Sequence, residues 1–189
     1  MVASFDGAAT LAGRSGGLSG EADRQIFAML RAITDVILVG AGTARAEEYA
    51  PVRPESEGVR WAWLRAGRPP SPPIAVVTRR LDLDPNSPLL NDAPGHARTI
   101  VITTASAPAA RLEAVARTAD VVVAGETTVD LPAAVAALAG RGHRCILAEG
   151  GPHLLSQLDE GVLHHVVGYA GPLPGEQAQG RRVFPVQSP

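Results

Sequence analysis

The sequence holds a single cysteine, Cys145, so an internal disulfide and a zinc site built from several thiolates are both excluded. It has no excess of positive charge: 17 Lys+Arg stand against 19 Asp+Glu, a formal net charge of −2. That balance argues against nucleic acid as a general partner, because neutralising phosphates takes a basic surface. No apolar run approaches the roughly 20 residues of a helical membrane span. The start, Met1 to Asp6, lacks a basic stretch and carries an acid, unlike a secretory leader. These absences lead to the expectation of a cytoplasmic chain. Aromatic residues are only 4%, whereas 20 Gly and 16 Pro imply many turns around an Ala/Val/Leu core. With 46% hydrophobic residues over 189 positions, a single domain, residues 1–189, is expected.

Short β-branched runs alternate with Ala/Leu-rich segments, the pattern of an α/β fold. Strands are expected at 36–39, 74–78, 99–103, 121–123 and 145–148. Each is nearly continuously apolar, which suits strands covered by helices on both faces. A helix is expected from Glu21 to Ile33, capped by Ser19, with Ile26, Phe27, Leu30 and Ile33 as its apolar stripe. Further helices are expected around 108–118, 132–139 and 152–160. Residues 52–73 contain five prolines and read as a loop, with a short helix possible around Trp61, Trp63 and Leu64; residues 83–98 are also turn-rich.

Two turns carry the chemistry. Val36–Val39 runs into Gly40-Ala41-Gly42-Thr43, where glycines let backbone N–H groups approach a phosphate. A plain strand-to-helix turn answers the same description. The dinucleotide fingerprint fails, because its third glycine position is Arg45. The second turn is Glu149-Gly150-Gly151-Pro152-His153-Leu154-Leu155, again where a buried strand opens into a helix. A carboxylate leaving a core strand needs a polar partner, so Glu149 serves either a ligand or a salt bridge. Arg14 to Ser19 forms a third, weaker glycine-hydroxyl turn.

Hydrolytic and metal chemistries find no support. There is no G-x-S-x-G, Cys145 reads as mid-strand packing, and the five histidines show no ligand spacing. Most histidines are expected to be exposed, and His164 and His165 would face opposite ways along a strand.

Taken in order, Ser4-Phe5-Asp6-Gly7, Ser15-Gly16-Gly17-Leu18-Ser19, Leu30-Arg31-Ala32, Val39-Gly40-Ala41-Gly42-Thr43-Ala44-Arg45-Ala46-Glu47 and Glu149-Gly150-Gly151-Pro152 form a recognisable series. The chain resembles the riboflavin-biosynthesis pyrimidine reductase family, relatives of dihydrofolate reductase in fold. The resemblance implies a mixed, mainly parallel sheet flanked by helices, a homodimer, and NADPH-dependent reduction of 5-amino-6-(5-phosphoribosylamino)uracil to the ribitylamino product. It assigns Thr43, Glu47, Gly150, Gly151, Pro152, His153, Leu154 and Leu155 to the cofactor, beside Gly40 and Gly42 of the first glycine turn. It assigns Ser15, Arg31, Arg53 and Glu149 to the substrate; for the proton that ring opening of the ribose requires, Glu149 and a bound water are equal candidates. Arg31 has a second reading: a cation in the last helical turn is favoured by the dipole alone. Thr78, Arg79 and Arg80 could supply a pocket for a 2′-phosphate.

The chain departs from the family in three places. Gly17 stands where many relatives carry a bulky aromatic, Met1 falls almost on the first motif, and the segment after Gly161 lacks the acidic pattern of relatives. Part of the first strand and the closing C-terminal strands are therefore expected to be missing, leaving sheet edge or dimer interface depleted. Two alternatives accompany the reductase reading: a diverged reductase of another small carbonyl or pterin-like compound, and a non-catalytic NADP-binding or partner module.

Overall fold

The structure is a computed structural model that describes residues 20–54, 63, 64, 67, 69–150, 154, 157 and 158, with the backbone alone for Ala22 and Asp23. Five strands, β1 (Val36–Gly40), β2 (Ile74–Val77), β3 (Ile100–Thr103), β4 (Asp120–Val123) and β5 (Ile146–Gly150), form one sheet in the order β4-β3-β2-β1-β5. All four described pairings are parallel. The helices are α1 (Glu21–Ile33), α2 (Ala41–Ala46), α3 (Pro88–Asn91), α4 (Ala109–Ala116) and α5 (Leu131–Gly140).

Continuous apolar runs become central strands because both of their faces are covered. In β1, Val36 and Leu38 pack with Leu131, Ala134 and Leu138 of α5 and with Leu154 and Leu158. Ile37 and Val39 point the other way, to Ala41 and Ala44 of α2 and Leu89 of α3. All four β1 side chains are essentially inaccessible, and each such burial stabilises by about 1.5–3 kcal/mol. A third cluster joins Leu81, Leu90, Val101 and Val115 under α3 and α4.

The five expected strands are present with shifted ends. β5 runs two residues past Ala148, because a bulge lets the ladder continue through Gly150. Cys145 is a correction: it precedes β5 and is exposed rather than packed inside a strand. Its backbone is instead the junction to β1. The Asp35 carboxylate accepts from the amides of Arg144 and Cys145, at 2.9 and 2.8 Å, and the Cys145 carbonyl accepts from the Asp35 amide at 2.7 Å. The N-cap of α1 is Gly20, with no side-chain cap bond; Ser19 lies outside the described residues. Ile33 ends the helix exposed, so the covered stripe of α1 is Ile26, Phe27 and Leu30, all half-buried. The turn-rich stretch 83–98 contains the short helix α3, started by Pro88. Trp63 and Leu64 are helical, while Trp61 lies outside the described residues. So do the segments on which the expected terminal losses rest, 1–19 and 159–189, and His153, His164 and His165.

Candidate functional site

The strand order reverses at β1: the chain moves outward through β2, β3 and β4, then returns to β5 on the opposite side of β1. Ligands of open α/β sheets bind outside the carboxyl ends of the strands at such a point. Gly40 and Gly150 are both there. A Cβ added to Gly40 would lie 3.7 Å from the Gly150 carbonyl oxygen, so the two turns are in direct proximity. Gly40 is in register with Val77, which puts Thr78 one strand further along the same sheet end. Gly150, Gly40 and Thr78 thus mark three neighbouring strands, a line of roughly 10 Å at the usual strand spacing.

β5 is irregular where the chemistry is expected. Leu38 pairs with Ala148 and Val39 with Gly150, which leaves Glu149 as the extra residue of a bulge. Gly150 follows with φ +110, a conformation that side-chain-bearing residues rarely adopt. A bulge re-aims a side chain, and here it turns Glu149 inward. The Glu149 side chain is 0% exposed. Its two oxygens receive Arg31 as a fork, Nε to Oε1 at 2.6 Å and Nη2 to Oε2 at 2.6 Å, and the Tyr49 hydroxyl donates to Oε2 at 2.7 Å. Arg31, 33% exposed, also lies over two rings, 5.2 Å from the Phe27 centroid and 5.9 Å from that of Tyr49.

Three separate segments therefore meet on one carboxylate. Arg31 arrives from the last turn of α1, Glu149 from the β5 bulge, and Tyr49 from the end of α2. Tyr49 is delivered by a Schellman closure of α2: its amide donates to the Ala44 carbonyl at 2.9 Å and that of Glu48 to Arg45 at 3.2 Å. Glu48 holds the left-handed position, φ +53, usually given to glycine.

The electrostatics follow from burial. Desolvation opposes the charge on Arg31, yet the bonds to Glu149 and its negative charge outweigh it, holding the guanidinium above its ordinary range. Burial first, and then the charge of Glu149 and the bond to it, push the Tyr49 phenol far above its ordinary value of 10.0. Neutral Tyr49 thus contributes stability that is fully present below about pH 10 and is lost as pH rises beyond it, where unfolded phenol ionises. An ultraviolet tyrosinate titration is expected to show Tyr49 ionising only as the protein unfolds. Tyr49→Phe should remove that component and flatten the alkaline loss of stability. A Tyr49 that titrates reversibly near 10 in folded protein would contradict this environment.

Of the other residues expected at the site, Thr43 and Glu47 are half-buried on α2 and at its end, and Gly42 is exposed. Thr78 is buried, and its hydroxyl accepts from the Leu81 amide at 3.0 Å. Arg53 is exposed beyond Tyr49. The Leu154 side chain belongs to the core, so only its backbone is left for a ligand. Ser15, Gly151, Pro152, His153 and Leu155 lie outside the described residues. Tyr49 is the participant that the sequence reading missed. A buried carboxylate needs more donors than one arginine fork supplies, but nothing in sequence says which residue provides the rest. A cleft of about 210 Å³ is bordered by Arg31 together with Asp35, Trp63, Pro73, His96 and His143. Among the described residues, no group of three His, Cys, Asp or Glu could hold a metal, and no helix is long and apolar enough to cross a membrane.

Comparison with known proteins bears on this arrangement. The chain matches the RibD C-terminal domain family over residues 1–185. It is 33% identical over 157 residues to the 2,5-diamino-6-ribosylamino-4(3H)-pyrimidinone 5′-phosphate reductase of Archaeoglobus fulgidus, covering 82% of this chain and 70% of that protein. It is 35% identical over 127 residues to riboflavin biosynthesis protein RibD of Mycobacterium tuberculosis, covering 67% of this chain but only 34% of RibD. Among solved structures, a pyrimidine reductase-like protein of Corynebacterium diphtheriae superimposes with a TM-score of 0.75 at 33% identity, over 82% of this chain and 65% of that one.

Proposed function

Because the chain belongs to the RibD C-terminal domain family, with its dihydrofolate-reductase-like fold, we propose that it is an NADPH-dependent reductase of a phosphoribosylamino-pyrimidine, 5-amino-6-(5-phosphoribosylamino)uracil, working as a single-domain cytoplasmic homodimer. The observation that carries the reading is the pair Gly40 and Gly150, side by side at the switch point, with the buried Glu149 carboxylate adjoining Gly150.

The residues present fit a dinucleotide. Among the described residues, a Cβ at Gly42 or Gly150 would meet no atom within 4 Å, so both glycines border space that backbone amides can share with a phosphate. Gly40, Gly42, Thr43, Glu47 and Gly150, with Gly151 to Leu155, would hold the cofactor, and Thr78 with exposed Arg79 and Arg80 would take a 2′-phosphate. When bound, the nicotinamide supplies the hydride, so the protein needs no nucleophile of its own. Its work is to bring the reactants together, and a misplacement of about 1 Å can cost about 100-fold in rate. Ser15 and Arg53 are assigned to the substrate. Arg31 has N–H groups beyond those given to Glu149 and is one-third exposed, so it can bond Glu149 and a substrate oxygen at once.

Supplying NADPH and the pyrimidine is expected to give loss of reduced-nicotinamide absorbance, with NADPH bound about 10-fold or more tightly than NADH. Equal dissociation constants would remove the 2′-phosphate pocket at Thr78–Arg80. The name of the archaeal relative favours a second substrate, the 2,5-diamino-pyrimidinone, and a comparison of kcat/KM between the two decides. Cofactor binding without turnover of either would leave only a binding module.

A further inference from the structure

We propose that Tyr49 is a positioning residue for this reduction, tying the β1 glycine turn to the β5 glycine turn through the Glu149 carboxylate; the role rests on the reductase reading above. Tyr49 and the Gly40 turn belong to one short rigid unit. α2 starts directly after Gly40, closes on itself through the bonds from Glu48 and Tyr49, and packs Ala41 and Ala44 into the core beside Val39. Glu149 and Gly150 belong to the other turn, as the bulge and the residue that leaves it with φ +110. The hydroxyl bond of 2.7 Å crosses between these units.

The geometry makes that bond more than packing. Glu149 is the residue of β5 that β1 leaves unmatched, so the ladder alone does not fix it. Arg31 fixes it from the α1 side, and Tyr49 fixes it from the side of the first glycine turn. With both in place the carboxylate cannot rotate without breaking a charge-assisted bond. Loss of the hydroxyl leaves the α1 attachment intact but frees one glycine turn to shift against the other. A ligand held by both turns then loses alignment at its reacting atoms, whereas its grip on either turn is unchanged.

Tyr49→Phe keeps the ring over Arg31 and the buried volume, and removes only the hydroxyl. Sites that bind NADPH are counted by fluorescence titration, which gives both the folded fraction and the dissociation constant without turnover. The expected result is full stoichiometry, an NADPH dissociation constant within about 3-fold of wild type, and kcat per NADPH-binding site reduced about 10-fold, which is about 1.4 kcal/mol in the barrier. A purely structural tyrosine would lower the melting temperature or the stoichiometry and leave kcat per site unchanged, and that result would overturn the role. Tyr49→Leu, which removes ring and hydroxyl together, should lose no more kcat per site than Tyr49→Phe if the hydroxyl is what positions. A large drop in Tyr49→Leu beside an unaffected Tyr49→Phe would also overturn it. If wild-type protein binds NADPH but reduces neither pyrimidine, the reductase reading fails, and the role falls with it; if wild type turns over and Tyr49→Phe matches it, only the role falls.

Discussion

Arg31→Ala is expected to destabilise the fold by about 3 kcal/mol, the lower end of the roughly 3–5 kcal/mol that follows from removing one partner of a buried ion pair. The lower end applies because Arg31 is one-third exposed, so water can partly replace it, while the Glu149 side chain has no exposure of its own. The loss comes less from the attraction removed than from a carboxylate left inside with Tyr49 as its one remaining side-chain donor among the described residues. For a domain of this size that is a fall in melting temperature of roughly 6–12 °C. Replacing both partners, Arg31→Met with Glu149→Leu, should be less damaging than Arg31→Ala alone, since no uncompensated charge remains. Denaturant melts of the wild type, Arg31→Met, Glu149→Leu and the double variant close a cycle that measures the coupling directly. A cost below about 1 kcal/mol for Arg31→Ala would mean that solvent reaches Glu149. Arg31→Lys separates two origins of the effect. Were the helix dipole the whole reason for a cation here, lysine would serve equally. Lysine cannot bond Oε1 and Oε2 as a fork while keeping a planar guanidinium over Phe27 and Tyr49, so it should also be destabilising.

The parts of this molecule that sequence makes legible are those decided by burial. Val36–Val39 and Ile74–Val77 are apolar at every position, and only a strand sandwiched between two helical layers uses such a run fully. The glycine turns were legible for a related reason, since Gly40 and Gly150 interrupt apolar runs at their carboxyl ends. Contacts between distant segments were not. Arg31 and Glu149 could each be singled out, one as a cation at a helix end and one as an acid on a core strand, but 118 positions separate them and nothing local pairs them. Tyr49 was harder still, because its placement depends on Glu48 accepting a left-handed backbone that its residue type does not announce. Cys145 and Ile33 failed for the opposite reason: both continue an apolar pattern past the point where the element is covered.

Gly125→Ala is expected to cost about 2–5 kcal/mol, although the site lies at the far end of the sheet. Gly125 opens the turn from β4 to α5 with φ +92. The chain there folds back on itself, with the Asp130 amide donating to the Ala124 carbonyl at 3.1 Å before Asp130 caps α5 through its bond from the Ala133 amide. An added Cβ would stand 2.1 Å from the Thr128 carbonyl oxygen and 3.0 Å from the Asp130 nitrogen. Both are backbone atoms, so no rotamer change relieves the clash and the turn itself must open. The left-handed backbone alone costs about 1–2 kcal/mol for a residue with a side chain. Forcing extra volume into a packed site adds about 1–3 kcal/mol. Gly142→Ala provides the control, because Gly142 has φ +94 but a Cβ there meets nothing within 4 Å among the described residues. It should therefore show the backbone cost alone. The damage at Gly125 also has a local signature. The Gly125 and Glu126 carbonyls accept from the amides of Ala105 and Ser106, at 2.9 and 3.0 Å, so opening this turn releases the one that leaves β3. Amide exchange at Ala105 and Ser106 is expected to accelerate in Gly125→Ala and to stay at the wild-type rate in Gly142→Ala. Equal melting temperatures for the two variants would show that the β4–α5 turn yields to a methyl group without cost, and would place the constraint in the backbone angle alone.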